Sequence, residues 1–87
     1  MYSVKVKKAA IKKIAKAPES VQILFDELIG DLKESGPIQK EWPNFSKLGG
    51  SKYHCHLCYS WVACWYFESD YMEIEVYYAG SREDAPY

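Results

Sequence analysis

Three runs decide the fold: Tyr53–Cys58 (YHCHLC), Trp61–Phe67 (WVACWYF) and Met72–Tyr78 (MEIEVYY), separated by Tyr59-Ser60 and by a turn at Glu68-Ser69-Asp70. Each is short, aromatic and aliphatic, and bounded by turn residues, so each reads as a strand. Connections this brief can join only antiparallel neighbours, because a parallel crossover consumes about a dozen residues or more. In the last run Met72, Ile74, Val76 and Tyr78 alternate with Glu73, Glu75 and Tyr77. The alternation predicts one face packed on an apolar layer and one wetter face. Phe45–Leu48 (FSKL), running into the Gly49-Gly50 turn, adds a further strand ahead of these.

Working outward, Tyr2, Val4 and Val6 alternate with Ser3, Lys5 and Lys7, the period of a half-buried strand with a basic outer face. In KKAAIKKIAK (7–16) the apolar Ala10, Ile11, Ile14 and Ala15 oppose Lys8, Lys12, Lys13 and Lys16, which predicts a short amphipathic helix. Pro18 suits a first helical turn, and Glu19 beside it suits the helix dipole. From Val21 onward Leu24, Phe25, Leu28, Ile29 and Leu32 follow one helix face as far as Gly36-Pro37, so a second, longer helix is expected there. Trp61, Trp65, Tyr53, Tyr66 and Phe67 are expected to fill the layer between sheet and helices. The resulting class is α+β: two N-terminal helices packed on one face of a mostly antiparallel sheet in the order β-α-α-β-β-β, with one further strand. Eighty-seven residues suffice for a single domain spanning 1–87.

Hydrophobic residues make up 48% of the chain and aromatics 16%, enough for a packed core and too much for disorder. A net charge of -1 withholds the usual basic signature of a nucleic-acid binder. The average hides an asymmetry. Lys5, Lys7, Lys8, Lys12, Lys13 and Lys16 crowd into the first sixteen residues with no acid among them, and the other five basic residues meet all twelve acids in the remainder. A dipolar molecule with one basic surface follows. With no long apolar run and no secretory pattern at the start, a cytoplasmic protein without membrane contact is expected. Cys55, Cys58 and Cys64, an odd number within ten residues, read as free thiols rather than a disulfide framework.

The element order, read with SKLGG before a strand, the WVACW strand and a terminal strand running into AGSRE, resembles the RelE/ParE superfamily of toxins from toxin–antitoxin systems, in its RelE-like branch. The resemblance spans the whole chain. It implies a ribosome-dependent endoribonuclease that cuts mRNA in the ribosomal A site, inhibits translation, needs no metal or other cofactor, and is held inactive by a cognate antitoxin. A gyrase-poisoning branch shares the fold without the nuclease residues, so a non-catalytic module of the same fold is the rival reading.

Against that background the residues with chemistry are few. His54 and His56 lie two apart on a strand and therefore on one face. Metal-free RNA cleavage needs a base for the 2′-hydroxyl proton, a cation for the scissile phosphate and an acid for the leaving 5′ oxygen. Imidazole suits either proton-transfer role at neutral pH, and the resemblance puts this pair where RelE carries two lysines. Arg82, the only arginine, offers phosphate a planar fork of donors; the plainer alternative is an ion pair with Glu83 or Asp84. The resemblance gives Arg82 the role of transition-state stabiliser, and Tyr87 that of a residue stacking on the mRNA base or sharing in proton transfer. Lys47 and Lys52, flanking the Gly49-Gly50 turn, are candidate RNA-phosphate contacts. Val62 departs from the pattern, standing where a second catalytic arginine is expected. His54, His56, Cys58 and Cys64 also have donor types that zinc accepts, although alternate residues of a flat strand seldom close a tetrahedral site.

Overall fold

The amino-terminal alternation forms β1 (Ser3–Val6), and the lysine-rich run after it coils into α1 (Lys8–Ala15) in this computed structural model, which describes all 87 residues. α1 buries Ala10 and Ile14, with Ala17 just beyond it, while Ile11 stays 52% exposed and Ala15 faces solvent. The buried stripe is narrower than the sequence pattern predicts. Ile11 lies about 100° round the helix from Ala10, and a helix of this length touching one side of a sheet covers only the narrower arc.

α2 (Glu19–Ser35) starts on Pro18, whose carbonyl accepts from the amides of Val21 and Gln22. It buries Val21, Phe25, Leu28 and Leu32, with Leu24 and Ile29 half-buried at the margins of that face. The helix stops at Gly36, whose φ of +91° is left-handed and whose amide donates to the Leu32 carbonyl at 3.0 Å. A side chain there would also collide with Tyr2, since a Cβ would sit 2.5 Å from its ring. Gly36 therefore ends α2 and lets the start of the chain pass close by.

The remaining strands are β2 (Ser46–Gly49), β3 (Lys52–Cys58), β4 (Trp61–Glu68) and β5 (Glu73–Ser81). They form one sheet with β1 in the order β1-β5-β4-β3-β2. Consecutive strands from β2 onward pair antiparallel, as their short turns require, and β1 joins the far edge of β5 in parallel. That single parallel pairing is possible because the two helices carry the chain away before the later strands return.

Tyr53, Cys55, Leu57, Ala63, Trp65, Ile74, Val76 and Ala79 project from the sheet into one core with Ala10, Ile14, Val21, Phe25, Leu28 and Leu32. Trp65 is fully buried at its centre and donates its indole N–H to the Pro37 carbonyl at 3.0 Å, so its polar end is satisfied. Trp61 and Phe67 border this core, but Tyr66 is directed to the opposite face and is 37% exposed. The alternation expected along β5 also fails at both ends. Met72 precedes the strand with φ 51° and is exposed. Further on, Trp65 pairs with Val76 but Cys64 pairs with Tyr78, leaving Tyr77 as an extra residue. This bulge resets the period, so Ala79 instead of Tyr78 takes the inner position.

Candidate functional site

The sheet face turned away from the helices carries His54 and His56. Strand register sets His54 opposite Ser46 on β2 and Cys64 on β4, and His56 opposite Val62. Ser46 Oγ lies 2.9 Å from His54 Nδ1, and Asn44 Nδ2 lies 3.4 Å from His56 Nδ1. Asn44 holds a left-handed φ of 54°, which asparagine tolerates, and the preceding Pro43 carbonyl accepts the His56 amide at 2.8 Å. The segment before β2 is thus laced to the strand that bears the histidines. Their ring centroids are 5.8 Å apart.

The tail beyond β5 folds back over this face. The Arg82 amide donates to the Ser60 carbonyl at 2.8 Å, the Glu83 amide to Ser81 Oγ at 3.1 Å and the Ala85 amide to the Arg82 carbonyl at 3.3 Å. These turns bring the Tyr87 ring to 4.4 Å from that of His54. The Arg82 guanidinium lies 5.0 Å from the centroid of the Tyr59 ring, bordering a shallow depression of about 360 Å³ shared with Ser60, Trp61 and Ser81. The larger depression, about 650 Å³, lies instead between α2 and residues 38–43 and collects Glu27, Asp31 and Glu41. Its charged lining is acidic apart from Lys40 and includes none of the site residues named from the sequence.

Burial pulls the His54 pKa down and the neighbouring His56 pulls it further, while a hydrogen bond to Ser46 opposes them. His56 is lowered by burial and then by the Arg82 charge. Both rings are therefore neutral at pH 7, each with a lone pair to accept a proton. Tyr87 is shifted upward, mainly by burial and by Cys64, with Arg82 acting in the other direction, so its phenol keeps its proton. Beneath the histidines, Val62 and Cys64 are fully buried yet stand outside the main core, forming an apolar floor. Burial pushes the Cys64 thiol up to about 12, and burial together with the nearby Cys64 pushes Tyr77 also to about 12. Neither is a nucleophile at neutral pH.

Three residues singled out in the sequence, His54, His56 and Tyr87, thus meet on one side of the sheet, while Arg82 lies against Tyr59 and reaches His56 through its charge. Lys52 shares that face, its Nζ 5.8 Å from the centroid of the Tyr77 ring. Lys47 pairs with Tyr53 and so belongs to the opposite, helix-side face. Cys58 lies past a register shift that follows His56 and packs against the core, apart from the histidines. No three His, Cys, Asp or Glu side chains converge as a metal-binding group. Ser46, Asn44, Tyr77 and Tyr78 are additions the sequence reading missed. Ser46 was legible only as a strand residue, since its pairing with His54 depends on register.

No family model matches the chain, and no curated protein matches its sequence. Solved structures do match. Archaeal RelE from the RelE–RelB complex of Pyrococcus horikoshii superposes with a TM-score of 0.77 over 97% of this chain and 98% of that one, at 17% identity. The chain has the RelE toxin fold. The isolated Escherichia coli RelE toxin agrees, with a TM-score of 0.76 over 99% of this chain and 89% of its own at 18% identity. So does the toxin–antitoxin complex RelBE2 of Mycobacterium tuberculosis, at 0.68 over 93% and 98% with 13% identity. Identity this low is compatible with one RelE scaffold, because layer packing demands apolar residues at periodic positions rather than particular ones. The chemistry on that scaffold has to be argued from this chain's own side chains.

Proposed function

We propose that this RelE-fold chain is the toxin of a toxin–antitoxin pair, a metal-independent endoribonuclease that cuts mRNA in the ribosomal A site and so arrests translation in the cytoplasm. The observation that supports the reading is the grouping of His54, His56 and Tyr87 on one sheet face, with the Arg82 charge acting on His56. Neutral imidazole is the form of histidine able to take the proton from the 2′-hydroxyl, and both rings are held in that form. The freed oxygen attacks the adjacent phosphorus, and the Arg82 guanidinium spreads its donors over the phosphate oxygens as charge builds. A phenol that has kept its proton, as Tyr87 has, is suited to protonate the leaving 5′ oxygen or to stack on the exposed base. In this reading Lys52, on the same face, contacts a flanking phosphate. Lys47, a candidate from sequence, would have to reach RNA round the sheet edge.

A cognate antitoxin is part of the proposal, supported by the solved RelE–RelB and RelBE2 complexes, in which the fold is seen with its antitoxin. The rival is a non-catalytic module of the same fold, a gyrase inhibitor or a decayed toxin that binds antitoxin. Val62, buried and apolar at the centre of the face, and the net charge of -1 favour it. The deciding experiment is to induce wild type and Arg82→Ala in bacteria and map mRNA ends by primer extension. Codon-phased cuts that vanish in Arg82→Ala are expected; toxicity without any cuts would favour the rival.

A further inference from the structure

Gly80 pairs with Val62 across β4 and β5, and directly opposed residues share a face, so the side chain that Gly80 lacks would stand on the open face beside Val62. That space is taken. A Cβ there would meet Lys13 Cδ at 3.0 Å and the Tyr78 hydroxyl at 3.0 Å. Lys13 belongs to α1, in the helix layer, yet its stem passes over the bare backbone of β5. Its Nζ ends 5.9 Å from the centroid of the Tyr78 ring. Tyr78 is anchored by donating its hydroxyl to the Ser81 carbonyl at 2.6 Å, so the ring is a fixed rest for that ammonium. Asp84 acts on Tyr78, but Lys13 forms no ion pair; the one ion pair of the chain joins Lys5 to Glu73. A cation outside any ion pair therefore sits at the margin of this face.

We propose that Lys13, admitted through the notch at Gly80, is a phosphate-binding residue of this face and holds the RNA backbone on the side of the site next to Val62. The proposal rests on the nuclease reading for its ligand, an RNA strand, but not for its geometry. Arg82 and Lys13 would then grip the strand from two elements, one beyond β5 and one on α1. The glycine leaves room for the stem: a Cβ at 80 would already crowd it, and a longer side chain would compete for the same space.

The test is binding of a fluorescein-labelled 2′-O-methyl oligoribonucleotide, which lacks the hydroxyl needed for cleavage, measured by anisotropy at several salt concentrations. Lys13→Gln should weaken binding about 3- to 10-fold at low salt and lower the slope of log affinity against log salt by about 0.7, one single-strand phosphate contact. Gly80→Ala keeps every charge and asks the Lys13 stem and the Tyr78 hydroxyl to give by a few tenths of an ångström, so it should weaken binding less than Lys13→Gln does. Lys16→Gln, which removes the same charge from the same helix without approaching the notch, should leave binding close to wild type. Circular dichroism of each variant checks folding, and Lys13→Gln alone suffices if Gly80→Ala does not fold. Wild-type affinity in Lys13→Gln, equal losses in Lys13→Gln and Lys16→Gln, or no binding by wild type would each overturn the proposal. Binding with these differences, but no cleavage on programmed ribosomes, would leave Lys13 standing and remove the nuclease reading.

Discussion

Two histidines held neutral by burial respond to acid in a defined direction. As the pH falls below the ordinary value of 6.5, the unfolded chain takes up protons that folded His54 and His56 resist. Stability should therefore decline from about that pH downward and level off once the folded values are passed. Thermal unfolding between pH 7.5 and pH 4.5 should show this drop, and a His54→Gln, His56→Gln variant should show less of it. The proposed cleavage would follow the same shift. If either imidazole is the base, the rate should rise through a pH below 6.5 and be flat at neutrality, and each His→Ala change should cost roughly 10²–10⁴-fold in single-turnover assays on programmed ribosomes. Full activity in the double alanine variant would remove both from the mechanism. Thiol chemistry offers a separate check at this scale. Cys55 and Cys64 are fully buried with thiols pushed up to about 12, whereas Cys58 is half-buried, so a disulfide reagent should titrate one thiol quickly in the native protein and the rest only on unfolding.

Among the elements, α2 and α1 divide the helix layer unequally. Leu28 is fully buried under α2, so Leu28→Ala should cost about 2–5 kcal/mol in denaturant unfolding. Ile11 on α1 looks equivalent in the sequence but is 52% exposed, and Ile11→Ser should stay within about 0.5 kcal/mol of wild type. Similar losses at both positions would mean that α1 is seated differently. Gly36→Ala should be destabilising as well, by more than about 1 kcal/mol, because it combines a left-handed φ with a collision against Tyr2. The longer helix was legible because its apolar face repeats over seventeen residues. The shorter one offered eight, too few for periodicity to separate a buried isoleucine from an exposed one.

For the molecule as a whole, β1 lies beside the acidic β5 and its Lys5 pairs with Glu73, so the unpaired lysines of α1 are the basic surface left for a partner to read. An acidic antitoxin segment approaching that surface should associate faster at low salt. Lys8→Glu together with Lys12→Glu should lower the association rate several-fold and flatten its salt dependence in stopped-flow binding, with a smaller change in dissociation. Kinetics identical to wild type would point to an apolar interface elsewhere. The charge division is visible in the linear chain. That one of these lysines, Lys13, is drawn over Gly80 to the opposite layer is not.

What the sequence determined by itself is what repeats locally. The period of two in β3 put His54 and His56 on one face, the period near 3.6 defined α2, and the short turns made their strands antiparallel, because backbone geometry alone sets these relations. What only the tertiary structure decided is register and return: β1 beside β5, the bulge that turns Tyr78 outward, Ser46 opposite His54, Lys47 on the far face and Tyr87 folded back onto His54. Those relations join residues distant along the chain, and they are chosen by how side chains pack across strands and layers, which no local period encodes.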